Sequence, residues 1–228
     1  MVILGRSGCG KSTLLRHLIG LAKPSEGQIL IKGQDITQMR EDELVKILKR
    51  IGMLFQSAAL FNSMTIGDNV ALPLKEHTQL EDSTIRIMTR MKLEQVGLSG
   101  FDDFMPSQLS GGMKKRAGLA RSIAMDPEIL CCDEPSAGLD PIVAVGIDRL
   151  LIKLKRAFKM TMVVVTHELE SVKMIADRVA MLNEGRILAC GPLPEVIRSE
   201  DERVQQFFNR QPDDEKIDAD KYLNSLLN

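Results

Sequence analysis

Gly5-Arg6-Ser7-Gly8-Cys9-Gly10-Lys11-Ser12 follows the apolar run Val2-Ile3-Leu4 and leads into an apolar-patterned stretch over residues 12–21. It fills the pattern G-x-x-x-x-G-K-[ST] in full, with a strand before it and a helix after it, as a phosphate-binding loop requires. Glycines let successive backbone N–H groups point inward as an anion nest. The helix that follows adds the partial positive charge of its N-terminus. Lys11 supplies a point charge to the β- and γ-phosphates, and the Ser12 hydroxyl is a ligand for Mg²⁺. The candidate nucleotide-binding residues are therefore Gly5, Arg6, Ser7, Gly8, Cys9, Gly10, Lys11, Ser12 and Thr13. The motif alone indicates a nucleoside triphosphate and no particular reaction, since GTPases, kinases and motor ATPases share it.

Outward from the loop, strand-like and helix-like segments alternate. A turn over residues 23–27 precedes a short alternating strand over 28–32, a charged helix over 41–50 and an apolar strand over 51–55. Residues 65–125 read as a mostly helical lobe with Ile85, Met88, Val96 and Leu98 as core positions. Strands follow over 129–132, 162–165 and 179–182, separated by helices over 142–158 and 169–176. A hairpin turn at Asn183-Glu184-Gly185 leads to a last strand over 186–189. Alternation of this kind predicts an α/β fold with a parallel sheet and an inserted α-helical lobe. The first strand is short for its class, which is read as an N-terminal segment, including further strands, missing from the chain.

The strand over residues 129–132 ends in Asp133-Glu134. Two carboxylates at the end of a buried strand are costly unless they have a task. In a phosphate-loop fold the first holds Mg²⁺ and the second polarises the attacking water. Cys131 and Cys132 read as small core residues. Ser110 is a good N-cap, and Gly111-Gly112 expose backbone N–H groups at a helix start, a second grip for phosphate or an ordinary capped turn. The following Lys114-Lys115-Arg116 reads as a solvated helix face. His167 and Gln56 each end a strand, where a parallel sheet faces its ligand crevice.

Composition narrows the class. Apolar residues are 44% and charged residues 27%, which excludes a disordered chain. Aromatics are 4% with no Trp, and the net charge is −1, so no nucleic-acid partner is expected. The four cysteines contain no C-x-x-C pair, which suits a reduced compartment.

These pieces, in this order, resemble the ATP-binding-cassette (ABC) ATPases over about residues 1–195. The resemblance implies a RecA-like P-loop NTPase core over residues 1–198, with the helical lobe inside it, and a C-terminal extension over 199–228. It implies a homodimer that sandwiches two ATP molecules. Ser12, Gln56 and Asp133 would serve Mg²⁺, Glu134 would activate water, and His167 would sense the γ-phosphate. Ser110, Gly111, Gly112 and Met113 would grip the nucleotide of the other subunit, with Asp140 in the D-loop over residues 136–140. The family's adenine-stacking aromatic precedes the loop and is absent here, and Met113 stands where Gln is commonest.

A narrower resemblance rests on Phe55 to Phe61, Asp68-Asn69-Val70, Leu72-Pro73-Leu74, Gly112 to Arg116 and Ser136 to Pro141. It is to the ATPases that drive MCE-type lipid transporters, the Mla system of Gram-negative bacteria and its chloroplast relative. It implies phospholipid transport between inner and outer membranes. It also implies an integral membrane permease, an MCE-type lipid-binding protein and a peripheral position on the cytoplasmic face of the inner membrane. Phe55 and Phe61 are expected to be exposed beside Gln56, in the groove that receives the permease. Val204, Phe207 and Phe208 share one helical face, suited either to the chain's own core or to contact with the second ATPase or a small cytosolic regulatory partner. Alternatives from other classes are an importer ATPase for another solute and a soluble ABC assembly factor. A chromosome or repair ATPase would need a long heptad run that the chain lacks.

Overall fold

The computed structural model describes residues 1–211, so the part of the expected C-terminal extension over 212–228 lies outside the described residues. In chain order the elements are β1 (Val2–Leu4), α1 (Lys11–Leu18), β2 (Leu30–Ile31), β3 (Gln34–Asp35), α2 (Glu41–Leu48) and β4 (Ile51–Leu54). The helical lobe follows as α3 (Ile66–His77), α4 (Asp82–Gln95), a 3₁₀ turn (Pro106–Gln108) and α5 (Gly111–Ser122). Then come β5 (Ile129–Asp133), α6 (Pro141–Phe158), β6 (Thr161–Thr166), α7 (Leu169–Ile175), β7 (Arg178–Asn183), β8 (Arg186–Pro192), α8 (Leu193–Ile197) and α9 (Glu202–Phe208).

Six strands form one sheet in the order β4-β5-β6-β1-β7-β8, parallel except for the β7–β8 hairpin. β1 lies between β6 and β7, with Ile3 opposite Val165 on one side and Ala180 on the other. All three of its side chains are buried, as an unbroken apolar run covered on both faces should be. Leu54, Asp133, Thr166 and Leu4 end their strands at one edge of the sheet. The segments that leave them carry Gln56, Glu134, His167 and the glycine loop. The fold thus gathers the candidate residues at the carboxyl edge of a parallel sheet, where α/β proteins bind ligands.

The helical lobe and the sheet share one core. Ile66, Val70, Leu74 and Leu93 join Leu54, Leu130 and Val164 through α5. Of the expected lobe positions, Val96, Leu98 and Ile85 are buried, and Met88 is half-buried against them. α5 lies close on β4: a side chain at Gly52 would meet the Ser122 carbonyl at 2.1 Å. Val204 is fully buried in this core, and Phe207 and Phe208 pack partly buried against it, so the apolar face of α9 covers the chain's own body.

Two elements differ from expectation. The first helix stops at Leu18 because Gly20 takes a left-handed φ of 71°. The Leu21 and Gly20 amides then donate back to Arg16 and His17, a Schellman cap, and Leu21 turns outward. The strand expected over 28–32 shrinks to β2, paired only with β3, with Leu30 exposed.

Candidate active site

The loop after β1 is shaped by close contacts. A side chain at Gly5 would meet the Leu182 carbonyl at 2.2 Å and the Cys9 sulfur at 2.7 Å, so only glycine fits. Gly10 stands at the N-cap of α1 with φ 102° and no side chain caps that helix, which leaves its first N–H groups for a ligand. Lys11 is buried, and its Nζ donates to the carbonyls of Gly5 at 2.9 Å and Arg6 at 2.8 Å. The ammonium is thereby folded over its own loop. The Arg6 guanidinium donates to Gln206 Oε1 of α9 at 3.2 Å.

The acidic end of β5 lies alongside. Ser12 Oγ donates to Asp133 Oδ1 at 3.1 Å. Burial pushes the Asp133 carboxyl above its ordinary range, and the Ser12 hydroxyl opposes that. Glu134 is buried and adopts a left-handed backbone, φ 48°. Its N–H donates to Val165 O at 2.9 Å, and its carbonyl accepts from Lys115 Nζ at 2.8 Å. Its Oε1 lies 2.8 Å from His167 Nδ1. Its Oε2 is buried and finds no hydrogen-bond partner among the described residues.

A cavity of about 270 Å³ joins these parts. Its wall is Ser7, Gly8, Gly10, Lys11, Ser12 and Thr13 of the loop, with Gln56, Glu134 and His167 opposite. Asp133 stands behind Ser12, while Gly5, Arg6 and Cys9 form the loop's own frame. Ser110, Gly111, Gly112, Met113 and Asp140 are not among the lining residues. Ser110 caps α5 by accepting from Met113 N at 3.4 Å, leaving that helix start exposed. Asp140 caps α6, accepting from the amides of Ile142 and Val143, each at 3.1 Å. Gly112 is buried against α6, where a side chain would meet Val143 Cγ1 at 2.5 Å.

The basic run Lys114-Lys115-Arg116 corrects an expectation. It is no solvated face: Lys115 is buried on Glu134, and Arg116 donates to the Val96 carbonyl at 2.7 Å, closing the end of α4. The run lacks the alternation of a buried face, so only the packing of α5 against β5 and α4 reveals it. The two adjacent cysteines are core residues as expected, and burial pushes the Cys131 thiol up to about 12.

The family model described as ABC transporter matches residues 1–137. The chain belongs to the ABC transporter family. It is an ABC ATPase that binds ATP. The intermembrane phospholipid transport system ATP-binding protein MlaF of Haemophilus influenzae is 44% identical over 228 residues, 99% of this chain and 86% of the relative. A probable ribonucleotide transport ATP-binding protein, mkl, of Mycobacterium leprae is 42% identical over 208 residues, 91% of this chain and 60% of the relative. The dimeric, post-hydrolysis ATP-binding cassette MJ0796, bound to ADP and Pi, matches with a TM-score of 0.77 and 34% identity over 84% of each chain. The cassette cbiO1 of Clostridium perfringens matches with a TM-score of 0.79 and 29% identity, over 99% of this chain and 86% of that one.

The ABC ATPase has a second, apolar groove of about 550 Å³ between α2, β4 and the lobe, lined in part by Val45, Phe55, Phe61, Leu72, Pro73 and Met125. Phe55 and Phe61 are exposed, 38% and 50%. Phe61 is fixed from behind: the buried Asn69 side chain accepts from its N–H at 2.8 Å and donates to its carbonyl at 3.1 Å. Arg121 stacks 6.0 Å from the Phe61 ring while donating to the carbonyls of Ala58 and Ala59 at 2.8 Å each. Among the described residues no helix is long and apolar enough to cross a membrane.

Proposed function

We propose that this ABC ATPase powers phospholipid transport between inner and outer membranes, working as an ATP-sandwich homodimer docked on an integral membrane permease. The observation that carries hydrolysis is the Glu134 carboxylate. A buried carboxylate oxygen without a partner is expensive. Oε2 faces that cost while Oε1 is tied to His167, and the residue lines the cavity, so the carboxylate keeps acceptor capacity for a water bound there. Glu134 acts as the general base. His167, half-exposed at the rim, holds the carboxylate and meets the γ-phosphate. Lys11 swings from its two carbonyls to the β- and γ-phosphates, and the open N-terminus of α1 receives their charge. Ser110 and Gly111, exposed at the start of α5, supply with Gly112 and Met113 the grip on the nucleotide of the second copy, with Asp140 at the cap of α6.

Ser12 Oγ and Asp133 Oδ1 are neighbouring hard oxygen donors, and with Gln56 they suit Mg²⁺, which keeps few protein ligands. Held by these residues, Mg²⁺ would supply neutralisation of the nucleotide's phosphate charge. The proton and the cation compete for Asp133. Because its carboxyl is raised by burial, acidification should weaken cation binding at a higher pH than an ordinary aspartate would allow. Mn²⁺ titrations followed by electron paramagnetic resonance, in the presence of a non-hydrolysable ATP analogue, check this. A pH profile identical in Asp133→Asn would count against the assignment.

The apolar groove beside Gln56 is the seat for the permease. A ring presented from a rigid backbone, next to a site-lining glutamine, suits the transfer of motion between the two. Phe61→Ala is expected to leave ATP affinity within about twofold and to cut transport-coupled turnover about tenfold. Reconstituted transport beside nucleotide titration checks it, and loss of ATP binding would contradict the groove's role.

The phospholipid cargo is supported by the MlaF relative, whose name carries intermembrane phospholipid transport. An MCE-type lipid-binding protein, a place on the cytoplasmic face of the inner membrane and a small regulatory partner near residues 199–228 are proposed with it on the motif resemblance alone. The mkl relative, whose name carries ribonucleotide transport, favours a second reading in which the same cassette serves another cargo. The deciding experiment is capture of the Glu134→Gln protein with ATP and Mg²⁺ from solubilised native membranes, with mass spectrometry of proteins and lipids. A permease, an MCE protein and phospholipid support the first reading. A permease without lipid or MCE protein supports the second, and soluble partners alone overturn both.

A further inference from the structure

Lys115 is a buried cation that the nucleotide site does not use directly. Its residue is 6% exposed, and its Nζ donates to the main-chain carbonyl of Glu134 at 2.8 Å. Placing an ammonium inside a protein is costly, and a single carbonyl repays that poorly. Burial pushes the pKa of Lys115 down, and the charges of Glu134, Cys132 and Asp133, when ionised, push it back. A methionine of similar length would fill the same space without the cost.

Glu134 supplies a reason to keep it. A non-glycine residue at φ 48° is held above its relaxed backbone. Something must hold it there, and the structure holds it at both backbone ends. β6 fixes the N–H through Val165, while Lys115 and the Ala137 amide, at 3.3 Å, meet at the carbonyl. His167 takes Oε1, so the direction of Oε2 follows from the backbone. We propose that Lys115 is a positioning residue for hydrolysis: it pins the left-handed backbone of Glu134 and ties the general base to α5. That helix begins at the Ser110 cap, so the grip offered to a second copy and the base of this copy sit on one rigid link. The proposal rests on Glu134 being the base.

The test compares the full-length protein with Lys115→Met, Lys115→Arg and Glu134→Gln, measuring ATP turnover, KM, nucleotide affinity and melting temperature. A base displaced by about 1 Å loses on the order of 100-fold in rate. Lys115→Met should therefore lose about 10–100-fold in kcat, with KM and ATP affinity within about threefold and a melting temperature no lower than the parent's. Lys115→Arg, which restores charge and donor, should recover most of that loss. A Lys115→Met kcat within about twofold of the parent overturns the proposal, provided Glu134→Gln is inactive. Equal failure of Lys115→Met and Lys115→Arg with a lowered melting temperature overturns it as well, since that is a packing effect. Full turnover in Glu134→Gln overturns the base assignment itself. If Lys115→Met does not fold, Lys115→Gln, which keeps a donor without the charge, is read by the same kcat and KM criteria.

Discussion

Glu134→Gln is expected to lower ATP turnover by about 10²–10³-fold, within the range that a positioned general base contributes. The substitution is nearly isosteric, so the contact with His167 Nδ1 and the cavity wall survive. What disappears is the acceptor at Oε2, the one atom of the side chain that is buried without a partner. An amide nitrogen there can donate but cannot accept a proton from water. Removing a negative charge from a site that must receive a polyphosphate also relieves repulsion, so ATP affinity should hold or rise. ATP would then be retained intact, and the two-copy state should accumulate. Phosphate-release assays beside light scattering with ATP and Mg²⁺ check both halves. Turnover within about fivefold of the parent would remove Glu134 from its role.

The second large effect is expected at Lys11. Its ammonium donates to the carbonyls of Gly5 and Arg6. These are poor partners for a buried cation compared with phosphate oxygens, so moving to a nucleotide is favourable. A charge-assisted hydrogen bond is worth roughly 1.5–3 kcal/mol, which converts to about 10–100-fold in affinity. Lys11→Ala should weaken ATP binding by that factor in calorimetry. Its nucleotide-free fold should persist, because Gly5 and Gly10 set the shape of the loop independently. Undiminished affinity would mean that Lys11 does not reach the phosphates.

Much of this was legible in the sequence for a simple reason. A phosphate loop needs glycine where no side chain fits, and Gly5 against Leu182 is such a place. Acids at the end of an apolar strand stand out for the same reason, and so does a histidine at a strand end. What stayed hidden depends on partners distant in the chain. Asp148 lies within amphipathic α6, where an acid suggests the solvent face. Instead it is 2% exposed, accepting from Ser171 of α7 at 2.6 Å, which in turn lies 3.2 Å from Ser136, the first residue of the segment expected as the D-loop. Asn69 enters the sequence reading only within the stretch that carries the narrower resemblance, with no structural role attached, yet it knots the segment behind Phe61. Lys115 sits among basic neighbours that all look alike in sequence. In each case the deciding contact is a backbone carbonyl or a hydroxyl on another element, and periodicity does not record such contacts.

The position of β1 bears on how the molecule comes to exist. Val2 pairs with Val164 and Val179, so the strand that launches the glycine loop has no neighbours until the polypeptide has been made almost to its hairpin. Pairings of such long sequence separation form late and slowly. A nascent chain emerging from the ribosome can fold its helical lobe from nearby residues, but β1 must wait for β6 and β7 with its apolar faces open. Nucleotide binding is therefore among the last properties this polypeptide acquires, and the interval before it is when the chain is most exposed to aggregation.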